Sequence, residues 1–134
     1  MQYSTALMAH FEQPHGVGSF DPARPDVGTG SAGSVEQGDV VRLQIAVDAG
    51  AQTVAQTCFK AHGSAAMIAT ASLLTQTIEG MALEAASRLQ GSALAQSLQL
   101  PPIKMHCALL AEDALRAAIA DYQAKRQALA VHHE

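Results

Sequence analysis

The chain has 134 residues, 49% of them hydrophobic and 15% charged, which is enough for one packed domain and too little for two. Eight basic against twelve acidic residues give a net charge of −4, which argues against a nucleic-acid footprint and against a polybasic membrane patch. Aromatic residues supply only 4%, so alanine and aliphatic side chains must build the core.

In chain order, Tyr3 to Glu12 reads as a short helix. Ser4 is placed to cap it, Leu7, Met8 and Phe11 share one side, and Pro14 stops it. From His15 to Gly38 the chain is rich in Gly, Pro, Ser and Asp, with glycines at 16, 18, 28, 30, 33 and 38. That predicts a long loop holding one irregular strand around Val27 to Val35. Asp39 to Asp48 alternates cleanly, with Val41, Leu43, Ile45 and Val47 on one face and Arg42, Gln44 and Ala46 on the other. Asp48-Ala49-Gly50 turns the chain, and Thr53 to Ala61 returns as a second strand. Its Ala55, Thr57, Phe59 and Ala61 are predicted to share the core face, with Gln56, Cys58 and Lys60 on a solvated one.

The second half is helical. Met67, Ala71, Leu74 and Ile78 make an apolar stripe that opens after Gly63-Ser64 and closes at Gly80. Glu84–Leu89 and Ala93–Leu98 are shorter helical pieces, and Pro101-Pro102 enforces an extended segment. The last helix begins near Lys104 to Cys107. Ala111, Leu115, Ala118, Ile119 and Tyr122 line its buried side, with Glu112/Arg116 and Asp121/Lys125 as outer ion pairs. The whole, residues 1–134, reads as one α+β domain. It has a short antiparallel sheet of about three strands, helices on one face, and a frayed tail over 128–134 in which His132 and His133 are solvated.

Two cysteines, Cys58 and Cys107, cannot form the disulfide framework of a small secreted domain. Residues 1–4 carry no export signal. The longest uncharged stretch, between Lys60 and Glu79, is too polar for a bilayer span. These features predict a soluble, cytoplasmic protein.

The layout brings three loop regions to one end of the sheet: Gln37-Gly38-Asp39, Gly63-Ser64 and His106-Cys107. Several stretches resemble the IscU-type and NifU N-terminal iron–sulfur cluster assembly scaffolds. They include Tyr3-Ser4, Val17-Gly18-Ser19-Phe20-Asp21, Gly38-Asp39-Val40, Leu43-Gln44-Ile45 and Leu100-Pro101-Pro102-Ile103-Lys104. His106-Cys107, Leu110 to Ala114 and Ala117 to Tyr122 complete the likeness, which spans about residues 3 to 126.

The resemblance implies a scaffold, not an enzyme. Such a protein accepts sulfur from a cysteine desulfurase, accepts iron, and hands on an iron–sulfur cluster with an Hsp70-type chaperone and a J-type co-chaperone. It implies that Leu100, Pro101, Pro102, Ile103 and Lys104 form the chaperone-binding segment. It also implies a site of three cysteines, an aspartate and a histidine. Asp39, His106 and Cys107 stand at their places here, but Gln37 and Ser64 occupy the positions of the other two cysteines.

A [2Fe–2S] cluster takes four protein ligands, normally thiolates. Glutamine offers a neutral amide oxygen, and a serine alkoxide matches soft sulfide-held iron poorly. The remaining N/O/S triad suits Zn²⁺ and, less well, Fe²⁺, and two chains could close a site together as a homodimer. Cys107 in the first turn of the last helix is expected to favour thiolate, aided by His106. Ser64 also reads as a helix cap, Gln37 as a polar loop residue, Cys58 as a partly exposed strand thiol, and His62 as filler near the site. Two functions follow: a scaffold with an altered metal site, or an interaction module that keeps the partner surfaces and carries no cluster.

Overall fold

The alternating run that opens after Asp39 becomes the central strand of the protein. In the computed structural model, which describes residues 2–132, it lies between two neighbours in an antiparallel sheet of order β1-β2-β3. The strands are β1 (Val27–Gly33), β2 (Val40–Asp48) and β3 (Thr53–His62). Around them run α1 (Thr5–Glu12), α2 (Ala65–Ile78), α3 (Leu83–Ser87), α4 (Gly91–Leu98) and α5 (Met105–His132). No described helix is long and apolar enough to cross a membrane.

Val41, Leu43, Ile45 and Val47 of β2 are buried against α2 and α5, which pack side by side on that face. Leu43 sits opposite Gly30 on one side and Phe59 on the other, which sets the register of all three strands. Between Ala46 and Val47 the pairing with β3 slips by one residue. That bulge corrects the simple alternation: Val54 is buried and Ala55 is exposed, where the uninterrupted period put Ala55 on the core face.

The opposite face is less solvated than its polar residues suggest. Gln44 and Cys58, register partners, are both buried, as is Ala46. The cover is the loop after α1. Gly16 and Gly18 hydrogen-bond the Phe59 backbone from the sheet edge, and the Gln44 side-chain amide then pairs with Phe20. Phe20 N–H donates to Gln44 Oε1 at 2.8 Å, and Gln44 Nε2 donates to the Phe20 carbonyl at 3.0 Å. Cys58 is therefore enclosed rather than partly exposed. Burial raises its thiol pKa, and it donates weakly to Gln44 Oε1 at 3.6 Å.

Helix α5 lies on β1, where Gly28 and Gly30 leave room for its backbone. A Cβ on Gly30 would stand 2.2 Å from the Ala114 carbonyl oxygen. Asp121 accepts the Thr29 amide, and Lys125 donates to the carbonyls of Pro22, Arg24 and Val27. The predicted Asp121–Lys125 pair is present at 3.7 Å. The predicted Glu112–Arg116 pair is not. Glu112 instead accepts the Gly91 amide, and Arg116 donates to the carbonyls of Ser87 and Leu89, so both hold the α3–α4 junction.

Only the first proline of the predicted extended segment is extended (Pro101, ψ 152°). Pro102 opens a 3₁₀ turn, Pro102–Lys104, that leads into α5, because proline's fixed φ suits the first position of such a turn. At the other end, α5 continues through Ala128 to His132, where the sequence predicted fraying. His133 and Glu134, and with them the predicted solvation of the His132-His133 side chains, lie outside the described residues.

Candidate metal centre

Three elements end at one pole of the sheet. Val40 pairs with His62, so Asp39, just before β2, and Gly63-Ser64, just after β3, are neighbours across the sheet end. Gly63 turns the chain at φ +126°. A Cβ there would stand 2.2 Å from Asp39 Oδ1 and 2.3 Å from the Gly38 carbonyl, so the close approach of the two loops requires glycine. Ser64 is the N-cap of α2, its Oγ accepting from Met67 N–H at 3.2 Å. The first turn of α5 brings His106 and Cys107 to the same pole.

Asp39 is held at both carboxylate oxygens. Oδ1 accepts from the Ser64 amide at 2.8 Å and from the Ser64 hydroxyl at 3.1 Å. Oδ2 lies 2.6 Å from His106 Nε2 and 3.7 Å from Cys107 Sγ. Sγ is also 3.7 Å from His106 Nε2. One donor atom each from Asp39, His106 and Cys107 thus falls within 4.8 Å of the others. Asp39 and Cys107 are buried, whereas the His106 side chain is 46% exposed and forms the open side.

Burial alone would raise the Asp39 carboxyl. The Ser64 amide, the His106 ring and the Ser64 hydroxyl outweigh it and hold the group below its ordinary value, so it is an anion near neutrality. An ionised carboxylate only accepts, so His106 donates from Nε2. Burial first, and the Asp39 charge second, push the Cys107 thiol up to about 11. This corrects the expectation of a thiolate. A helix N-terminus contributes about 0.3–1 kcal/mol, under one pKa unit, whereas full burial can move a group by several units.

The donor set suits one ion. Zn²⁺ with ligands at about 2.0–2.3 Å in a tetrahedron separates them by roughly 3.3–3.6 Å. The two distances from Sγ, both 3.7 Å, exceed that spacing only slightly. Only the Asp39–His106 contact must open, by roughly 0.7 Å, and the half-exposed His106 ring is the part free to move. The set does not suit a thiolate-held cluster in one chain, because it contains a single sulfur. Cys58 adds none, being enclosed on the sheet face away from α5 beside Gln44.

Of the other sequence candidates, Gln37 is exposed, its backbone amide donating to Ser34 Oγ at 3.2 Å, and its side chain takes no part in the site's hydrogen bonds. His62 is exposed and stands apart from the converged donors. The contribution missed in the sequence is that of Gly63 and Ser64 to fixing Asp39. A glycine directly before an N-capping serine was the available signal.

The family described as NifU-like N terminal domain matches residues 2–129. The iron–sulfur cluster assembly scaffold protein IscU of Haemophilus influenzae is 45% identical over 126 residues, covering 94% of this chain and 99% of that protein. The protein of the same name from Escherichia coli K12 is 44% identical, covering 96% and 99%. Among solved structures, the N-terminal NifU-like protein of Brucella abortus superposes with a TM-score of 0.66 at 17% identity, covering 91% of this chain and 94% of that one, a likeness of fold. Full-length coverage on both sides and this identity leave one conclusion: the chain belongs to the NifU-like N-terminal domain family, among iron–sulfur cluster assembly scaffolds of the IscU type.

Proposed function

We propose that the protein serves iron–sulfur cluster assembly as a scaffold whose site is narrowed to one metal ion, held by Asp39, His106 and Cys107. The observation that carries this reading is the convergence of three unlike donors within 4.8 Å at a pole open through His106. The ion is of the borderline class, Zn²⁺ in preference to Fe²⁺, because one thiolate, one imidazole and one carboxylate leave a fourth position for an outside ligand. In this reading the protein is a carrier without catalytic residues of its own, working in the cytoplasm. A cluster forms on it only where further ligands come from another chain, a second copy included.

Partner docking is part of the same proposal. Family membership points to assembly machinery, with a cysteine desulfurase at the metal pole and an Hsp70-type chaperone with its J-type co-chaperone at Leu100–Lys104. The surface of that segment supports the assignment: Ile103 is 67% exposed and Pro102 is exposed, while Leu100 is buried and anchors the segment. The segment ends two residues before His106, so a bound chaperone would touch the rim of the metal pole.

Calorimetric titration of the metal-free protein with Zn²⁺ tests the reading. Wild type should take up one ion per chain, and Cys107→Ala and Asp39→Ala should each weaken binding by tenfold or more. Equal affinity in wild type and both variants would remove the triad from metal binding.

A further inference from the structure

Ser64 stands where the family resemblance places a cysteine, and its hydroxyl is already engaged twice. The oxygen accepts from Met67 N–H at 3.2 Å as the N-cap of α2, and the proton is donated to Asp39 Oδ1 at 3.1 Å. The Ser64 amide donates to the same carboxylate oxygen at 2.8 Å. Among the described residues the polar contacts of Oδ1 therefore come from one residue at the start of a helix, and Oδ2 is the oxygen turned toward His106 and Cys107. Ser64 Oγ lies 3.9 Å from Cys107 Sγ, close to the triad, but with its proton on Asp39 Oδ1 and one lone pair taken by Met67 N–H it offers an ion only the weak donor power of a neutral hydroxyl.

From this geometry we infer that Ser64 is a positioning residue. It locks Asp39 as a ligand through Oδ2 alone and so dedicates the pole to a single ion with one sulfur donor. The inference rests on the metal-binding reading above and adds a cause for its selectivity. A thiolate at this position has no proton to donate to Asp39 and would itself compete for the ion. Serine removes one soft ligand and fixes the hard one in the same substitution. Partners one step behind a ligand typically change metal affinity by about 10–100-fold when removed.

Co²⁺ titration followed by absorbance tests this. Cobalt reports coordination number through its visible bands and thiolate ligation through its near-ultraviolet charge-transfer band. Wild type should show a four-coordinate ion with one thiolate. Ser64→Ala should keep both signatures and bind about tenfold or more weakly. Ser64→Thr, which retains cap and donor, should restore the wild-type affinity, and Ser64→Cys should add charge-transfer intensity from a second thiolate.

Thermal melts of the metal-free variants separate the roles, since loss of a helix cap alone lowers the melting temperature without touching cobalt affinity. A Ser64→Ala protein with unchanged Co²⁺ affinity would overturn the inference and leave the metal reading intact. A Ser64→Ala protein whose spectrum reports a lost ligand would also overturn it, making Ser64 a ligand. Failure of wild type itself to bind Co²⁺ would overturn both.

Discussion

At Cys107 two opposing influences meet, and their sizes decide the outcome. The helix terminus favours the thiolate weakly, while burial and the neighbouring Asp39 carboxylate favour the thiol strongly, placing its pKa at about 11. The sequence showed the residue's position in its helix but not the enclosure around it, which depends on Asp39 arriving from another element. An ion that binds as a thiolate complex must expel that proton. Between pH 6.5 and 8.5, well below the thiol pKa, apparent Zn²⁺ affinity should rise about tenfold per pH unit, with at least one proton released per ion. Calorimetry in buffers of differing ionisation enthalpy reads both quantities, and a pH-independent affinity would contradict the assignment of Cys107 as ligand. In the metal-free protein the sign reverses. A thiol whose folded pKa is raised stabilises the fold below about pH 8.5 and loses that contribution as pH rises toward 11. Cys107→Ala should abolish this alkaline loss.

At the scale of elements, the reach of each reading depended on whether the signal was local. Capping at Ser4 and Ser64, the core row Val41, Leu43, Ile45 and Val47 of β2 and the stripe of α2 are local, and each matches the structure. The β2–β3 bulge and the Phe20 cover over Gln44 arise from contacts between separate segments, and no periodicity announces them; the turn at Pro102 is local, but the proline pair reads equally as an extended segment. Gly28 and Gly30 fall between these cases. They read as loop punctuation, yet glycines two apart share one strand face, which marks a close approach by another backbone. Gly30→Ala would press a Cβ to 2.2 Å from the Ala114 carbonyl and 2.3 Å from the Ala118 amide, where neither side can yield cheaply. We expect a loss of about 3 kcal/mol in urea unfolding, and an unchanged midpoint would show that α5 does not bear on β1 as described. Gly63→Ala acts at the site instead. Its Cβ would strike Asp39 Oδ1 at a strained φ, so stability should fall by about 2 kcal/mol and Zn²⁺ affinity with it.

For the molecule as a whole, family and layout were legible because they are written along the entire chain. The meeting of Asp39, Ser64, His106 and Cys107 was legible because strand pairing and helix order bring their loops to one pole. The same pole adjoins Leu100–Lys104, so the proposed metal site and the proposed chaperone-docking segment share one surface. A peptide spanning residues 99–106 should bind an Hsp70-type partner in fluorescence anisotropy, several-fold more weakly after Lys104→Ala or Pro102→Ala. The intact protein should bind less well than the peptide, because its 3₁₀ turn must open before the segment can lie extended. Equal binding by variants and wild type would remove the segment from docking. The central claim, one ion and no single-chain cluster, is tested most directly by anaerobic reconstitution with iron and sulfide. Gel filtration should follow, with iron and acid-labile sulfide counted per chain. The account predicts about one iron at most and no retained sulfide, with cluster binding gained in the Gln37→Cys, Ser64→Cys double variant. A wild-type monomer that leaves the column with about two irons and two sulfides per chain would contradict it.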